Sequence, residues 1–365
     1  MKLKTIETFS TRTLCIVRVT DDDGLHGFGQ AAPFNADITA TVLHRQIAPH
    51  ALGADTADAA DINALVDACI DRNHKFPWSY VCRALGGVET ALWDLMGRRE
   101  GKGVCELLGG TPGRIPAYGS SMRRDIEPDA EAGRLARLRD EKGFGAFKVR
   151  VGKTCGHEED ARPGRTEELL PAVRRALGDD VKLLADANSC YSVARAVEVG
   201  RLLEESGYRH FEEPCPYWEL EWTAEVASAL DVAVAGGEQD NDLAQWRRMI
   251  AMDAVDIVQP DVCYVGGVAR TLRVAAMAAA AGKPCVPHSA NLSMVTLFAL
   301  HVLASIPNAG DYVEFSIESS PWANGLYEPA LEVRDGEVAV PPGPGWGVRV
   351  RPEWLEGAER AVSKA

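Results

Sequence analysis

The chain has 365 residues, a net charge of −14, and near-average shares of hydrophobic (46%) and charged (25%) residues, which predicts a globular protein with a sizeable core. The negative charge disfavours nucleic acid, whose phosphates would be repelled. No signal peptide is apparent, the longest apolar stretch is too short to span a bilayer, and the nine cysteines form no CxxC pair, so we expect a cytoplasmic protein that binds neither nucleic acid nor membrane.

The first part of the chain combines strands and helices. Lys2 to Phe9 and Thr13 to Thr20 are predicted strands, and the turn signal Asp21–Gly24 leads into a third strand, Leu25 to Gly29. Helical patterns follow, most clearly from Val81 to Arg99, where apolar residues recur on one face. Gly and Pro residues near position 110 end this region, so we predict a first domain at residues 1–114.

From residue 115 the pattern becomes a strand–helix alternation, which is typical of a parallel α/β sheet. Eight strand ends are predicted, which favours a TIM-type barrel at residues 115–326: Ala117–Ser120, Phe147–Gly152, Leu183–Asn188, Phe211–Pro214, Ala233–Glu238, Ile257–Asp261, Cys285–Ser289 and Val313–Ser316. Helices are expected at Asp129–Lys142, Arg165–Leu177, Ser192–Glu205, Leu220–Leu230, Asp242–Ala251, Val268–Ala281 and Val295–Ile306. The tail, residues 327–365, returns to short β-runs that are expected to pack against the N-terminal part.

Three acidic residues close predicted strands at intervals of 26 residues: Asp186 in LLADAN, Glu212 in HFEEP and Glu238 in AVAGGE. Strand ends of a barrel converge on one mouth, and three carboxylates in a dry mouth need a cation. Oxygen ligands without Cys or His favour Mg²⁺, with Mn²⁺ as a substitute. Glu213 is the alternative to Glu212, and capping of helices is the structural alternative for all three.

Two further pairs of residues indicate acid–base chemistry. His288 and Asp261 end neighbouring strands, and a carboxylate behind an imidazole makes a competent general base. A structural role in the core is the alternative for His288. Lys148 and Arg150 alternate with Val149, so both side chains face the barrel interior, either towards a substrate or only towards the metal-binding acids.

The chain resembles the enolase superfamily on its mandelate racemase branch. The resemblance rests on motifs that occur in family order along nearly the whole chain: ALWDLMG with LLGG, FKVR, DAN, EEP, GGE, QPD, PHS and VEFS. It implies a (β/α)₇β barrel beneath an α+β capping domain built from both termini. It also implies one Mg²⁺ per subunit, held by Asp186, Glu212 and Glu238, and removal of a proton α to a carboxylate.

The resemblance also implies roles for other residues. Lys148 would contact the substrate carboxylate, while Arg150 replaces a frequent second lysine base and would bind a substrate oxygen, because Arg is a poor proton acceptor. Glu314 matches a glutamate that donates a hydrogen bond and would therefore be protonated, with Glu318 as its rival. Asn188 is a predicted polar contact. Trp322 and the aromatic residues Phe76, Trp78 and Tyr80 are predicted either to line the mouth or to pack between domains.

These features predict a dehydratase that converts an aldonate or aldarate into a 2-keto-3-deoxy acid, with His288 as a single base. A racemase, epimerase or lactone cycloisomerase is the alternative enzyme. A sensor that keeps the metal without turnover is the non-enzymatic alternative, and the intact His288–Asp261 pair disfavours it. A small-molecule carboxylate is the expected partner, and the Ala-rich helices suggest a homo-oligomer.

Overall fold

The computed structural model describes residues 2–76 and 79–365. The chain begins with an antiparallel sheet of three consecutive strands, β1 (Leu3–Ser10), β2 (Cys15–Asp21) and β3 (His26–Ala31). The last strand of the chain joins this sheet beside β1, with Thr5 opposite Lys364. Both ends of the chain therefore build the capping domain.

The helices of the cap pack between this sheet and the rest of the molecule. They are α1 (Ala36–Val42), followed by a π-helical turn (Leu43–Ile47), α2 (Ala48–Ala51), α3 (Ala59–Arg72), α4 (Ser79–Glu100) and α5 (Val104–Leu107). Gly27 and Gly29 let β3 lie directly on α4, since a Cβ at either position would collide with α4. On the barrel side, the Glu89 carboxylate of α4 accepts hydrogen bonds from the backbone nitrogens of Val268 and Ala269, both at 2.8 Å.

A parallel sheet follows and closes on itself. Its strands are β4 (Arg114–Ser120), β5 (Ala146–Arg150), β6 (Lys182–Asp186), β7 (His210–Glu212), β8 (Ala233–Gly236), β9 (Ile257–Val258) and β10 (Val313–Ser316). From β4 to β9 each strand pairs with the next, and β10 pairs with β4. The predicted TIM-type barrel with its cap is confirmed.

The predicted strand Cys285–Ser289 is not a regular strand. Cys285 makes isolated bridges to Val258 and Ala309, although the backbone nitrogens of Val286 and His288 still donate towards the neighbouring segment. Pro284 and Pro287 carry no N–H group, so a continuous ladder cannot form there.

Helices cover the outside of the barrel: α6 (Pro128–Lys142), α7 (Arg165–Leu177), α8 (Val193–Glu205), α9 (Leu220–Ala229), α10 (Leu243–Ala251), α11 (Val262–Val265), α12 (Val268–Ala280) and α13 (Met294–Leu303). The sequence pattern missed the one-turn helix α11 and placed the end of α13 three residues too late. No helix in the described ranges has the length and hydropathy needed to cross a membrane. All nine cysteines lie in these ranges and are unpaired.

The tail contacts both domains. Its elements are β11 (Tyr327–Glu328), β12 (Val333–Arg334), β13 (Glu337–Ala339), β14 (Arg349–Val350), α14 (Pro352–Glu356) and β15 (Glu359–Lys364). β15 joins the cap sheet, whereas β13 pairs with the barrel strand β4. The boundaries at residues 114 and 326 stay predictions, as does homo-oligomerisation.

Candidate active site

Three buried carboxylates meet at the C-terminal mouth of the barrel. Asp186 and Glu212 end β6 and β7 and lie opposite each other in register, and Glu238 follows β8 by two residues. One oxygen of each lies within 4.8 Å of the other two. We call Asp186, Glu212 and Glu238 the acid cluster.

The acid cluster suits a divalent cation. Oxygens around an octahedral Mg²⁺ lie at about 2.1 Å from the ion, so opposite ligands are about 4.2 Å apart. Among three such oxygens at most one pair can be opposite, and adjacent ones lie about 3.0 Å apart, so the three carboxylates, which are within 4.8 Å of one another, would draw together around a bound ion. An all-oxygen set with no thiolate or imidazole is the donor set that Mg²⁺ and Mn²⁺ prefer, so the residues fit the metal that the sequence predicts.

Lys148 supplies a positive charge to these acids. Its Nζ lies 2.6 Å from Glu212 Oε1, 2.9 Å from Glu314 Oε1 and 3.6 Å from Asp186 Oδ2, and its side chain is fully buried. Burial alone would lower the pKa of Lys148, but the carboxylates of Glu212 and Glu314 outweigh burial and raise it. Lys148 is therefore a firmly protonated donor and an unsuitable base.

Two residues that the sequence interpretation overlooked hold the second oxygen of Glu212. His210 Nε2 lies 3.1 Å and Gln259 Nε2 2.9 Å from Glu212 Oε2. Burial would raise the pKa of Glu212, but Lys148 outweighs it and lowers the pKa well below the usual range. The alternation rule was the available signal, since His210 and Glu212 are two positions apart on one strand and point the same way.

Arg150 lies on the other flank of the acid cluster. It ends β5, contacts Asp186 and donates from Nη1 to Asn188 Oδ1 at 3.0 Å. A second guanidinium, Arg124, donates from Nη2 to the same oxygen at 2.7 Å. Burial, then repulsion from Arg150, lowers the pKa of Arg124 to about 10. Arg124 lies in the loop after β4, and nothing in its local sequence distinguished it from other loop arginines.

His288 faces the acid cluster from the opposite side. Its Nδ1 lies 2.8 Å from Asp261 Oδ2, and its Nε2 lies 3.2 Å from Glu238 Oε2 and 3.9 Å from Glu314 Oε2. Asp261 is itself fixed, because its Oδ1 accepts hydrogen bonds from two backbone nitrogens at the start of α11. Burial would lower the pKa of His288, but Glu238 and Asp261 outweigh it and raise the pKa to about 10.

Glu314 is surrounded by donors. Its Oε1 accepts from Ser120 Oγ at 2.7 Å and contacts Lys148, and its Oε2 accepts from the Ser289 backbone nitrogen at 2.9 Å. Burial would raise the pKa of Glu314, but Lys148 and then His288 outweigh it and lower the pKa to about 2. The protonation of Glu314 in the metal-loaded site stays a prediction, whereas in the metal-free protein cations and donors, rather than anions, dominate its surroundings.

The two rival glutamates lie elsewhere. Glu318 forms a salt bridge with Arg134 at 2.8 Å and accepts a hydrogen bond from the Met122 backbone nitrogen. Glu213 is buried outside the acid cluster beside a small cavity that Asp240 also lines, and its Oε1 has no partner among the described residues. Burial, then Glu238 and Glu212, raises the pKa of Glu213 well above its usual range.

Aromatic residues of both domains meet near the mouth. The half-buried Trp322 packs edge-on against Phe34 of the cap, with ring centroids 5.9 Å apart. The Arg83 guanidinium of α4 lies 4.0 Å from the ring centroid of Tyr264, whose ring is 6.3 Å from that of His288. Phe76 and Tyr80 are exposed. Trp78 lies outside the described residues.

Comparison with known proteins identifies the family. The N-terminal domain of mandelate racemase and muconate lactonizing enzyme matches residues 3–109, and the enolase C-terminal domain-like family matches residues 131–354. The chain belongs to the mandelate racemase/muconate lactonizing enzyme family of the enolase superfamily, as the sequence motifs predict.

Related proteins catalyse two kinds of reaction. An arabinonate dehydratase of Saccharolobus solfataricus is 30% identical over 91% of this chain and 87% of its own length. A D-galactarolactone cycloisomerase of Agrobacterium fabrum is also 30% identical, over 95% of this chain and 91% of its own length. Dehydration and cycloisomerisation of sugar-acid derivatives are thus both represented among the relatives.

Two solved structures are informative. A Roseobacter denitrificans protein described provisionally as a racemase is 57% identical, with a TM-score of 0.98 and 100% coverage of both chains. An L-talarate dehydratase from Polaromonas sp. JS666, crystallised with Mg and L-glucarate, is 25% identical, with a TM-score of 0.85 over 100% of this chain and 99% of its own. The fold is shared along the whole chain.

Proposed function

We propose that the protein is a Mg²⁺-dependent dehydratase of a sugar acid, an aldonate or aldarate, and that its product is a 2-keto-3-deoxy acid. The observation that carries this proposal is the asymmetry of the mouth. One side holds the His288–Asp261 pair, and the other holds Arg150 and Arg124, which donate to the same amide oxygen of Asn188.

This asymmetry favours a reaction with one base. Around the barrel, the segment that carries His288 is followed by β10, then β4 and then β5. Arg150 on β5 and His288 therefore face each other across the mouth. A guanidinium does not give up its proton at physiological pH, so Arg150 cannot take a proton from carbon. A racemase needs proton transfer on both faces of the α-carbon, whereas a dehydratase needs it on one.

The acid cluster would hold Mg²⁺, which would stabilise the negative charge that develops on the substrate carboxylate. Lys148 is placed to bind a carboxylate oxygen, and Glu314 holds Lys148 in position at 2.9 Å. His288 Nε2 takes the α-proton, while Asp261 fixes the tautomer through Nδ1. The bond from the β-carbon to its hydroxyl then breaks, water leaves with the proton returned from His288, and the enol product tautomerises to the keto acid.

Asn188 and Arg150 would bind substrate hydroxyl or carboxylate oxygens on the opposite face. Trp322 is a candidate contact at the outer end, where its ring packs edge-on against Phe34 of the cap. The His288 pKa of about 10 describes the metal-free protein. A cation in the acid cluster would compensate the charge of Glu238 and so bring this pKa down towards the range in which an imidazole accepts protons.

The experiment is a screen of aldonates and aldarates with the Mg²⁺-loaded enzyme, in which 2-keto acids are detected as semicarbazones. We expect turnover of at least one acid, a kcat about 10³-fold lower with His288→Asn, and no turnover after metal removal with EDTA. If the protein is folded and binds Mg²⁺ but converts none of the acids in the panel, the proposal is contradicted.

A lactone cycloisomerase is the second candidate, favoured by the Agrobacterium fabrum relative and by the same one-base mouth. Product analysis separates the two functions. A dehydratase releases water and forms a 2-keto acid, whereas a cycloisomerase converts its lactone into an isomer of the same mass.

A further inference from the structure

A second cavity, of about 560 Å³, lies at the opposite end of the barrel from the acid cluster. The first residues of three strands line it: Lys182 of β6, His210 of β7 and Ile257 of β9. Lys182 and Asp186 are the two ends of one strand, so the cavity and the acid cluster are separated by about 13 Å of barrel. The cavity therefore belongs to the N-terminal mouth and is distinct from the candidate active site.

The walls of the cavity are largely apolar, and the buried Tyr118, whose ring centroid lies 5.4 Å from Lys148 Nζ, is among the lining residues. Leu184, Ile257 and Val286 form much of the wall. The Tyr118 hydroxyl, on a residue that is only 2% exposed, has no hydrogen-bond partner among the described residues. A buried hydroxyl without a partner is costly, and an apolar cavity with a few convergent polar groups is the usual form of a small-molecule site.

The rim of the cavity carries two basic side chains and one acidic one. Lys182 pairs with Asp311 at 2.9 Å, and its Nζ lies 5.1 Å from the ring centroid of Tyr312. Arg209 is exposed on the same rim and forms no salt bridge within the described residues. Arg209 is thus available at the entrance to pair with the negative group of a ligand, although Asp179, Asp180 and Glu205 lie on its other side.

We propose that this cavity binds a compact aromatic carboxylate, with the carboxylate at Arg209, the ring against Leu184, Ile257 and Val286, and the inner edge at the Tyr118 hydroxyl. The site goes beyond the proposed dehydratase function and does not depend on it. An occupant would lie one side chain away from the acid cluster, because His210 both lines the cavity and contacts Glu212 at 3.1 Å.

The test is calorimetric titration of the full-length protein with benzoate and with 4-hydroxybenzoate. EDTA is present in the first titration, so that neither probe can bind through Mg²⁺ in the active site, and the titration is repeated with Mg²⁺. We expect one saturable site in both conditions and tighter binding of the hydroxylated probe, which can pair with Tyr118.

Three variants locate the site. Arg209→Ala, at an exposed position, should weaken both probes about tenfold through loss of a charge-assisted hydrogen bond. Tyr118→Phe should abolish the preference for 4-hydroxybenzoate and leave benzoate unaffected. Ala309→Trp, at an exposed lining position, should block both probes, while the control Arg247→Ala, an exposed arginine away from the cavity, should change nothing.

Three results would overturn the proposal. The first is absence of saturable binding up to about 10 mM probe, which leaves less affinity than a site of this size should provide. The second is binding that Arg209→Ala and Ala309→Trp leave intact while their thermal unfolding is normal. The third is sedimentation that shows a second copy of the chain closing this mouth, with no probe bound.

Discussion

Buried acids occur in two regions of this protein, and their hydrogen bonds differ. In α4 of the cap, both oxygens of Glu89 accept hydrogen bonds, from Trp93 Nε1 at 2.7 Å and from the two backbone nitrogens that begin α12. Asp94 accepts from the backbone nitrogens of Phe28 and Trp346 and also pairs with Arg98 at 2.7 Å. Backbone amides, which cannot move away, satisfy these carboxylates and tie the cap to its neighbours.

The acids at the barrel mouth are satisfied differently. Asp186, Glu212 and Glu238 converge within 4.8 Å, and Lys148, Arg150 and His288 supply most of their counter-charge. Side-chain cations can give way to a metal ion, whereas backbone amides cannot. Convergence of several charges onto side-chain cations, rather than burial of one charge, is therefore what marks the functional region.

The largest effect that would sharpen this comparison is expected for His288→Asn. Asparagine keeps a polar group of similar reach but cannot take a proton, so kcat should fall about 10³-fold. Mg²⁺ should still bind, because His288 contacts Glu238 at 3.2 Å but supplies none of the carboxylate oxygens of the acid cluster. Steady-state kinetics and calorimetry measure the two quantities, and a variant that keeps a tenth of wild-type kcat would remove His288 from the mechanism.

The second-largest effect, on Mg²⁺ binding, is expected for Glu212→Gln. The amide removes a charge from the acid cluster, so Mg²⁺ affinity should fall by more than about a hundredfold, since loss of merely supporting groups already costs 10–100-fold. The folded state should persist, because Lys148 keeps Asp186 and Glu314 as partners. Titration calorimetry with Mg²⁺ measures the change, and unaltered affinity would show that the acid cluster does not hold the ion.

A third effect concerns pH and the metal-free protein. The pKa of His288 is raised from 6.5 to about 10 when the chain folds, mainly by Glu238 and Asp261 against the effect of burial. The folded state therefore holds an extra proton, and the stability that this proton contributes is complete below pH 6.5 and is lost as pH rises through 10. Between pH 7 and 9 the free energy of unfolding should fall by roughly 2–3 kcal/mol, at 1.36 kcal/mol per unit.

Urea unfolding in EDTA at pH 7, 8 and 9 measures this slope. The buried cysteines also destabilise the fold at high pH, because burial raises their pKa values. They contribute equally to the wild type and to His288→Asn, so the difference between the two slopes isolates the imidazole. Parallel slopes would mean that His288 is neutral in the folded, metal-free protein.

The sequence predicted the barrel and the convergence of the acid cluster because both follow from local rules. Strand ends are visible as short apolar runs, and residues at successive ends share one mouth. The sequence did not predict that the segment at Cys285 is irregular, since the prolines that disrupt it also occur in ordinary loops. The hydrogen bond from the Ser289 backbone nitrogen to Glu314 and the Arg124–Asn188 contact depend on loop conformation, which no periodic pattern encodes. The sequence also gave no means of telling whether the acids of α4 serve structure or catalysis.

The smallest effect tests that last distinction directly. Glu89→Gln is the same chemical change as Glu212→Gln, made at a carboxylate whose partners are fixed. The new NH₂ group must face a donor, either Val268 N or the Ala269 N and Trp93 Nε1 pair, so one buried N–H loses its acceptor. We expect roughly 1–2 kcal/mol less unfolding free energy, unchanged Mg²⁺ affinity and unchanged kcat. Thermal unfolding and calorimetry together decide, because a loss of Mg²⁺ affinity here would mean that the cap acids, too, act on the metal site and that the two regions are not separate.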